Sequence, residues 1–185
     1  MKKLALTDFA KYRYPSALEL SPDSRYLTFA LKDVDREGDG YRWNLWLYDL
    51  ERRESRQITQ GDDQRKAVWE DNTHILYKTT EPDEALRARG FEEEWTVYHR
   101  LNVCTGEDRE AFRLPMSVSG LWKMDEGRYV FTGETHLDRP NLLELTGEAL
   151  EKELVRRQQT RGYKVLTELP LCENGVGMFN QTRIT

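Results

Sequence analysis

The sequence predicts an all-β fold, a partial β-propeller of about three blades with a helical insertion in the third. The first observation is a hairpin signal: Ser21-Pro22-Asp23-Ser24 is a typical turn sequence between two short strand-like runs. The second is repetition. Similar hairpins begin at Trp69 and Trp122, so that the anchors Leu20, Trp69 and Trp122 lie 49 and 53 residues apart. A hairpin that returns about every 50 residues is typical of propeller blades.

Composition limits the classes of function. A net charge of −5 without a basic stripe argues against nucleic acid as a partner. Residues 1–20 contain no signal-like apolar run and nothing reaches a transmembrane length, so no membrane partner is expected and the predicted location is cytoplasmic. Cys104 and Cys172 stand in unrelated settings, which predicts neither a disulfide framework nor a zinc site.

The whole chain, 1–185, is expected to form one incomplete propeller domain. A leading helix over 1–14 comes first, with Thr7 placed to cap it and Asp8 near its positive end. Blade one is expected over 15–61. Its four strands are predicted at 16–20, 26–31, 43–49 and 55–59, and the last is short and polar, as in an outer blade strand.

Blade two is expected over 62–115 on the same plan. Its strands are predicted at 65–69, 74–79, 95–101 and 109–114, and Asp71 is expected to be a turn residue between the first two. Between the second and third strands, Pro82 and Gly90 stand where a short helix would start and end, which predicts a helical turn there.

Blade three is expected to be partial, over 116–185, with a helix over 148–160. Thr146 is placed to cap this helix and Gly162 to end it. By analogy with blade one, a third strand would begin near Arg183, unless 141–145 stand in for it.

Packing predictions follow from the repeat. Leu20, Trp69 and Trp122 are expected at equivalent places in successive sheets, in the core between blades. Substantial burial is also expected for six other strand residues: Leu27, Phe29, Ile75, Tyr77, Val130 and Phe131. Because three blades cannot close a ring, the outer faces of blades one and three are expected to stay uncovered and to favour a homodimer or a higher species.

These motifs resemble a known family. The Ser-Pro-Asp hairpin, the strand at 44–49 and the blade ending at 56–59 are similar to the amino-terminal propeller of the prolyl-oligopeptidase family of serine peptidases. The helical insertion, followed by Leu169-Pro170 and Asn174-Gly175, is similar to the acylaminoacyl-peptidase and dipeptidyl-aminopeptidase branch. The resemblance implies a parent enzyme that cleaves peptides, with a carboxy-terminal α/β-hydrolase domain as partner and the propeller gating access of peptide substrates.

No catalytic residue is predicted in this chain. A nucleophile elbow needs Gly-x-Ser-x-Gly, and no glycine here has a serine two positions later. His74, His99 and His136 lack a nucleophile in a recognisable local context, so packed or solvated histidines are expected. The Gly175-Val176-Gly177 segment lacks the third glycine of a phosphate-binding turn, and the sequence predicts no cofactor and no metal.

The glutamate run at 92–94 invites comparison with the paired glutamates by which dipeptidyl peptidases hold a substrate amino terminus. Phe91 and Trp95 do not reproduce that motif, so a solvated charge run is the interpretation we adopt.

One candidate contact surface remains. Asp8, Phe9 and Tyr12 of the leading segment are candidates for contact with the hydrolase domain, and a local staple onto blade one is the alternative. Two other functions stay open from the sequence alone, a TolB-like binding propeller without a peptidase partner and an interaction module that closes by oligomerising.

Overall fold

The computed structural model describes residues 6–35, 40–125, 127–135, 139–160, 171–173 and 177–179. The chain divides into two compact units, Met1–Glu144 and Leu145–Thr185. The first unit holds three antiparallel sheets, which we call the first, second and third sheet in chain order.

The first sheet contains four strands that are neighbours in chain order, as in a propeller blade. A short 3-10 helix, Leu6–Lys11, precedes it within the range of the predicted leading helix. The Ser21 carbonyl accepts the Ser24 N–H at 2.8 Å, which closes the predicted turn between the first two strands. The strands are β1 (Tyr14–Leu20), β2 (Tyr26–Asp35), β3 (Gly40–Asp49) and β4 (Glu54–Gln57).

The second sheet repeats this order with one insertion. Its strands are β5 (Ala67–Trp69), β6 (His74–Pro82), β7 (Glu94–Asn102) and β8 (Asp108–Leu114). The predicted helical turn between the second and third strands is α1 (Glu84–Arg87), and the Asp83 carboxylate caps it by accepting the Leu86 N–H at 3.0 Å.

The third sheet has two strands within the described part of the chain, β9 (Ser117–Asp125) and β10 (Arg128–Glu134). Leu142–Glu144 forms a 3-10 turn, so this stretch does not stand in for a third strand. The strand predicted near Arg183 lies outside the described residues.

The second unit contains a helix and a two-stranded hairpin. The helix α2 runs over Gly147–Gln159, and the hairpin pairs β11 (Leu171–Glu173) with β12 (Gly177–Phe179). Thr146 occupies the predicted capping position, although its side chain makes no capping hydrogen bond. Gly162 lies outside the described residues.

The second sheet is covered on both faces, because successive side chains of a strand point to opposite sides. On β6, Ile75 and Tyr77 pack towards the first sheet, whereas Leu76 packs towards the third. The core between the first two sheets contains Ala30, Leu45, Leu47, Trp69, Ile75, Tyr77 and Leu101. The smaller core between the second and third sheets contains Leu76, Tyr98, Val118 and Leu121. This alternation supports the predicted partial propeller.

The burial predicted for the three anchors is wrong at two of them. Trp69 is buried, but Leu20 is 55% exposed and Trp122 is 47% exposed. Trp122 also lies three residues before the end of β9, and its neighbour Leu121 is the residue that faces the second sheet. Among the described sheets of the first unit, none covers the outer face of the first or the third sheet, and Leu20 and Trp122 are accessible there.

The burial predicted for the other strand residues is likewise correct at some positions and wrong at others. Ile75 and Tyr77 are buried as predicted, but Val130 and Phe131 are 49% and 42% exposed. Both lie on β10, which is an edge strand of a two-stranded sheet in the described part of the chain. Leu27 and Phe29 are half-buried, since they lie on the outer face of the first sheet.

Candidate functional site

The candidate contact residues of the leading segment lie in and directly after the first 3-10 helix. Phe9 and Tyr12 are 56% and 57% exposed, and the Tyr12 N–H reaches the Phe9 carbonyl at 3.3 Å. The Asp8 carboxylate forms an ion pair with Lys11. More than half of each side chain is therefore accessible to solvent.

Arg13 fixes the end of this segment to the outer face of the first sheet. Its Nε lies 2.9 Å from Asp33 Oδ1, and its guanidinium carbon lies 5.9 Å from the centre of the Trp46 ring. An ion pair combined with a cation–π contact restricts a surface segment more than either does alone. The exposed rings of Phe9 and Tyr12 therefore belong to a segment whose end is held against the first sheet.

His74 lies in a hydrogen-bonded turn that does not resemble a catalytic triad. Its Nδ1 lies 3.0 Å from Asp71 Oδ2 and 3.1 Å from Thr73 Oγ1, while its Nε2 lies 3.2 Å from the Asn102 amide nitrogen. In a triad the carboxylate and the nucleophile bind opposite ring nitrogens. Here Asp71 and Thr73 share one nitrogen, so Thr73 is not placed for activation.

The Asp71 carboxylate organises this turn. It accepts the backbone N–H groups of Thr73 and His74, each at 2.7 Å. Burial opposes its ionisation, but these N–H groups and the neighbouring side chains stabilise the charge and lower the pKa of Asp71 to about 2. This geometry supports the predicted role of Asp71 as a turn residue.

His99 belongs to a second polar cluster, on the side of the second sheet that faces the first. Its ring stacks on Tyr77 with centroids 5.2 Å apart, and its Nδ1 lies 3.5 Å from Asp108 Oδ1. Tyr77 donates its hydroxyl to Asp108, and burial together with this hydrogen bond raises the pKa of Tyr77. No serine, threonine or cysteine contact of His99 is present among the described contacts, so the cluster has no nucleophile.

Other predicted features give no catalytic arrangement. In the described part of the chain, no group of three or more His, Cys, Asp or Glu residues could hold a metal ion. None of the described helices is long and apolar enough to cross a membrane. The structure does not describe His136, Gly175 or the side chain of Cys172.

A polar joint connects the second and third sheets, and sequence patterns do not reveal it. The Glu70 carboxylate accepts two hydrogen bonds from the Arg100 guanidinium, one of them at 2.6 Å, and a third from the Tyr129 hydroxyl. Burial raises the pKa of Glu70, but Arg100 and Tyr129 outweigh it and the net pKa is lowered. Lys123 donates to the Glu70 carbonyl from the third sheet.

An open cleft of about 450 Å³ lies between the first and second sheets. The Tyr26 hydroxyl and the exposed Cys104 thiol meet there at 3.9 Å. The remaining lining combines both charges with apolar surface: Leu47, Asp49, Arg52, Glu54, Ser55, Arg56 and Val103. No local sequence pattern predicts this cleft, because its walls come from strands of the first sheet and from the turn at 103–104 of the second.

Comparison with known proteins identifies the fold but no closer relationship. No protein-family model matches the chain, and no curated protein matches it in sequence. The structure is similar to an acylaminoacyl peptidase from Pyrococcus horikoshii, at 14% identity and a TM-score of 0.52, over 71% of this chain and 20% of that one. It is also similar to the β-propeller domain of the Trilobed protease from Pyrococcus furiosus, at 13% identity and a TM-score of 0.48, over 66% of this chain and 34% of that one.

The chain thus spans about a fifth of the acylaminoacyl peptidase that it matches. The likeness agrees with the resemblance noted in the sequence and confirms it at the level of the fold. The described part of the chain is a partial β-propeller that is similar in structure to part of an acylaminoacyl peptidase.

Proposed function

We propose that this chain is a non-catalytic propeller segment of a serine peptidase. The observation that carries the proposal is the structural likeness to an acylaminoacyl peptidase, in a chain whose sequence motifs resemble the same branch. Fold alone does not establish function. Because the sequence motifs and the fold both resemble those of a peptidase, we favour a peptidase over a TolB-like binding propeller.

The chemistry of the chain supports an accessory role. A serine peptidase needs a nucleophile, a base on the correct ring nitrogen and an oxyanion hole. The described histidines, His74 and His99, contact Asp71 and Asp108 in clusters with no activated nucleophile. In the parent protein the reacting serine would therefore belong to a carboxy-terminal α/β-hydrolase domain.

In this proposal the propeller gates access of peptides to the hydrolase, and the parent is cytoplasmic. Blade one spans 15–61, blade two 62–115 and the partial third blade 116–185. The leading segment would provide part of the contact with the hydrolase domain. Phe9 and Tyr12 suit this role, because exposed aromatic rings on a fixed segment contribute strongly to protein interfaces.

The coding sequence that follows the codon for Thr185 tests the proposal. We expect it to encode further hairpins at a spacing of about 50 residues and then a Gly-x-Ser-x-Gly segment between a strand and a helix. Further blades without such a segment would favour the TolB-like alternative. A stop codon directly after Thr185 in the natural gene would contradict the proposal.

A further inference from the structure

We infer that Ser55 is a phosphorylation site for a protein kinase of the arginine-directed class. Such kinases bind arginines two and three residues before the acceptor hydroxyl in acidic pockets, so the charge pattern of the substrate decides which hydroxyl is modified. Arg52 and Arg53 stand at these two positions, in the sequence Arg52-Arg53-Glu54-Ser55. The inference concerns modification of the chain and is independent of the proposed peptidase function.

The structure presents this motif to solvent in an extended conformation. Every residue from 51 to 57 is exposed, and Ser55 lies in β4, the last strand of the first sheet. This strand has four residues and pairs with β3 along one edge, while its other edge has no partner strand in the described sheet. A kinase binds its substrate as an extended segment, and a short edge strand leaves its sheet at a low cost in free energy.

The groups that a kinase would bind are available. The Arg52 side chain is 73% exposed, and its Nε approaches Asp49 Oδ2 only to 3.9 Å. Arg53 forms no ion pair with any described residue, and the Ser55 hydroxyl forms no hydrogen bond with one. Because exposed ion pairs contribute little to stability, Arg52 can exchange Asp49 for an acidic pocket at a small cost.

Burial separates Ser55 from two competing hydroxyls. In the sequence, four other serines and threonines follow an arginine by three residues, but none of them has a second arginine two residues before it: Ser16, Thr28, Thr59 and Thr160. Thr28 and Thr59 are buried. Thr28 donates its hydroxyl to the Glu19 carbonyl at 3.2 Å, and Thr59 accepts the Leu45 N–H at 2.8 Å. Neither hydroxyl is accessible to a kinase in the folded chain.

The other two competitors are exposed or half-buried, but their surroundings differ from those of Ser55. Ser16 follows Arg13, whose Nε already pairs with Asp33 at 2.9 Å. Thr160 stands at the end of α2 and donates its hydroxyl to the Arg156 carbonyl at 3.0 Å. The structure therefore favours Ser55 among the hydroxyls that follow an arginine at this spacing.

The site stays accessible when a neighbouring blade covers the first sheet. The corresponding last strand of the second sheet is β8, and the first sheet already packs against that second sheet. Asp108, Arg109 and Glu110 of β8 are nevertheless exposed. The further blades that the proposed function expects would accordingly leave β4 in solvent.

The reaction needs ATP and a kinase. The Ser55 Oγ attacks the γ-phosphorus of ATP, so that an Oγ–P bond forms and the bond from this phosphorus to the bridging oxygen of ADP breaks. The catalytic aspartate of the kinase accepts the hydroxyl proton. The product carries a charge of about −2, which the guanidinium groups of the neighbouring residues Arg52, Arg53 and Arg56 can partly neutralise.

The first part of the test incubates the folded 185-residue chain with the catalytic subunit of cyclic-AMP-dependent protein kinase, which is arginine-directed, and with ATP labelled in its γ-phosphate. We expect one phosphate per chain, located on Ser55 by tandem mass spectrometry of proteolytic peptides. Ser55→Ala should abolish the label. An unlabelled wild-type chain, a label on Ser16 or Thr59 in place of Ser55, or full labelling of Ser55→Ala would overturn the inference.

The second part tests recognition of the arginine and not only exposure of the serine. Arg52→Gln should lower the kcat/KM of the kinase for the chain by about tenfold or more, because the acidic pocket loses its charged partner. Arg109→Gln is the matched control, an exposed arginine on β8 with no hydroxyl residue three positions later, and it should leave kcat/KM unchanged. Circular dichroism verifies that each variant is folded. Equal kcat/KM values for the wild type and Arg52→Gln would overturn the inference, since accessibility alone would then explain the label.

Discussion

Trp69 Nε1 donates a hydrogen bond of 3.1 Å to the backbone carbonyl of Glu19, so that a side chain of the second sheet satisfies the main chain of the first. The same indole stacks on Tyr26, with ring centroids 6.5 Å apart. One residue thus combines apolar burial with a directed contact across the joint between the two sheets. This makes Trp69 the most informative position for testing that joint.

Trp69→Phe should reduce the free energy of unfolding by about 1–2 kcal/mol. The smaller phenyl ring fills less of the core, and the Glu19 carbonyl loses the indole donor while it keeps the Thr28 hydroxyl. Urea denaturation monitored by circular dichroism measures the change. Trp122→Phe is the matched control, and at an exposed position it should change stability by about 0.5 kcal/mol or less. Equal losses in the two variants would contradict the assignment of Trp69 to the core.

Glu70→Gln tests the polar joint between the second and third sheets. The neutral amide loses the charge-assisted hydrogen bonds from Arg100 and Tyr129, which should lower the free energy of unfolding by about 1–3 kcal/mol. Tyr129→Phe removes one of these bonds. In a double-mutant cycle the two substitutions should therefore be less costly together than their separate sum. Strict additivity would show that Glu70 and Tyr129 do not interact.

The lowered pKa of Asp71 predicts how the free energy of unfolding changes at acid pH. Its pKa is about 2 in the folded chain, against an ordinary value of 3.8. Its stabilising contribution is therefore complete above about 3.8 and is lost as the pH falls towards 2. The difference in stability between the wild type and Asp71→Asn should shrink across this interval, as acid titration of the two proteins in urea can show. A difference that stays constant would contradict the lowered pKa.

The isolated chain should be catalytically inactive. It should neither hydrolyse acyl-peptide or aminoacyl-arylamide substrates nor react with a fluorophosphonate probe, because it supplies no activated serine. Mass spectrometry of the probe-treated protein provides the measurement. Stoichiometric labelling of any serine would place a catalytic centre within these residues.

Much of the first two sheets could be predicted from the sequence, since turns such as Ser21-Pro22-Asp23-Ser24 and alternating strands are local signals. The exposure of Leu20 and Trp122 could not, because burial depends on whether another sheet covers the face and not on the residue itself. The Glu70 joint could not be predicted either, since Arg100 and Tyr129 lie 30 and 59 residues away and share no periodic pattern with it. Such contacts depend on which strands come together in the folded chain.

The most direct test of the central proposal is to find the natural polypeptide that contains this segment. An antibody raised against the 185-residue chain is used to precipitate the protein from cells of its source after fluorophosphonate labelling. We predict a labelled polypeptide much larger than 21.9 kDa, with the label on a serine beyond Thr185. An unlabelled polypeptide of 21.9 kDa would contradict the proposal.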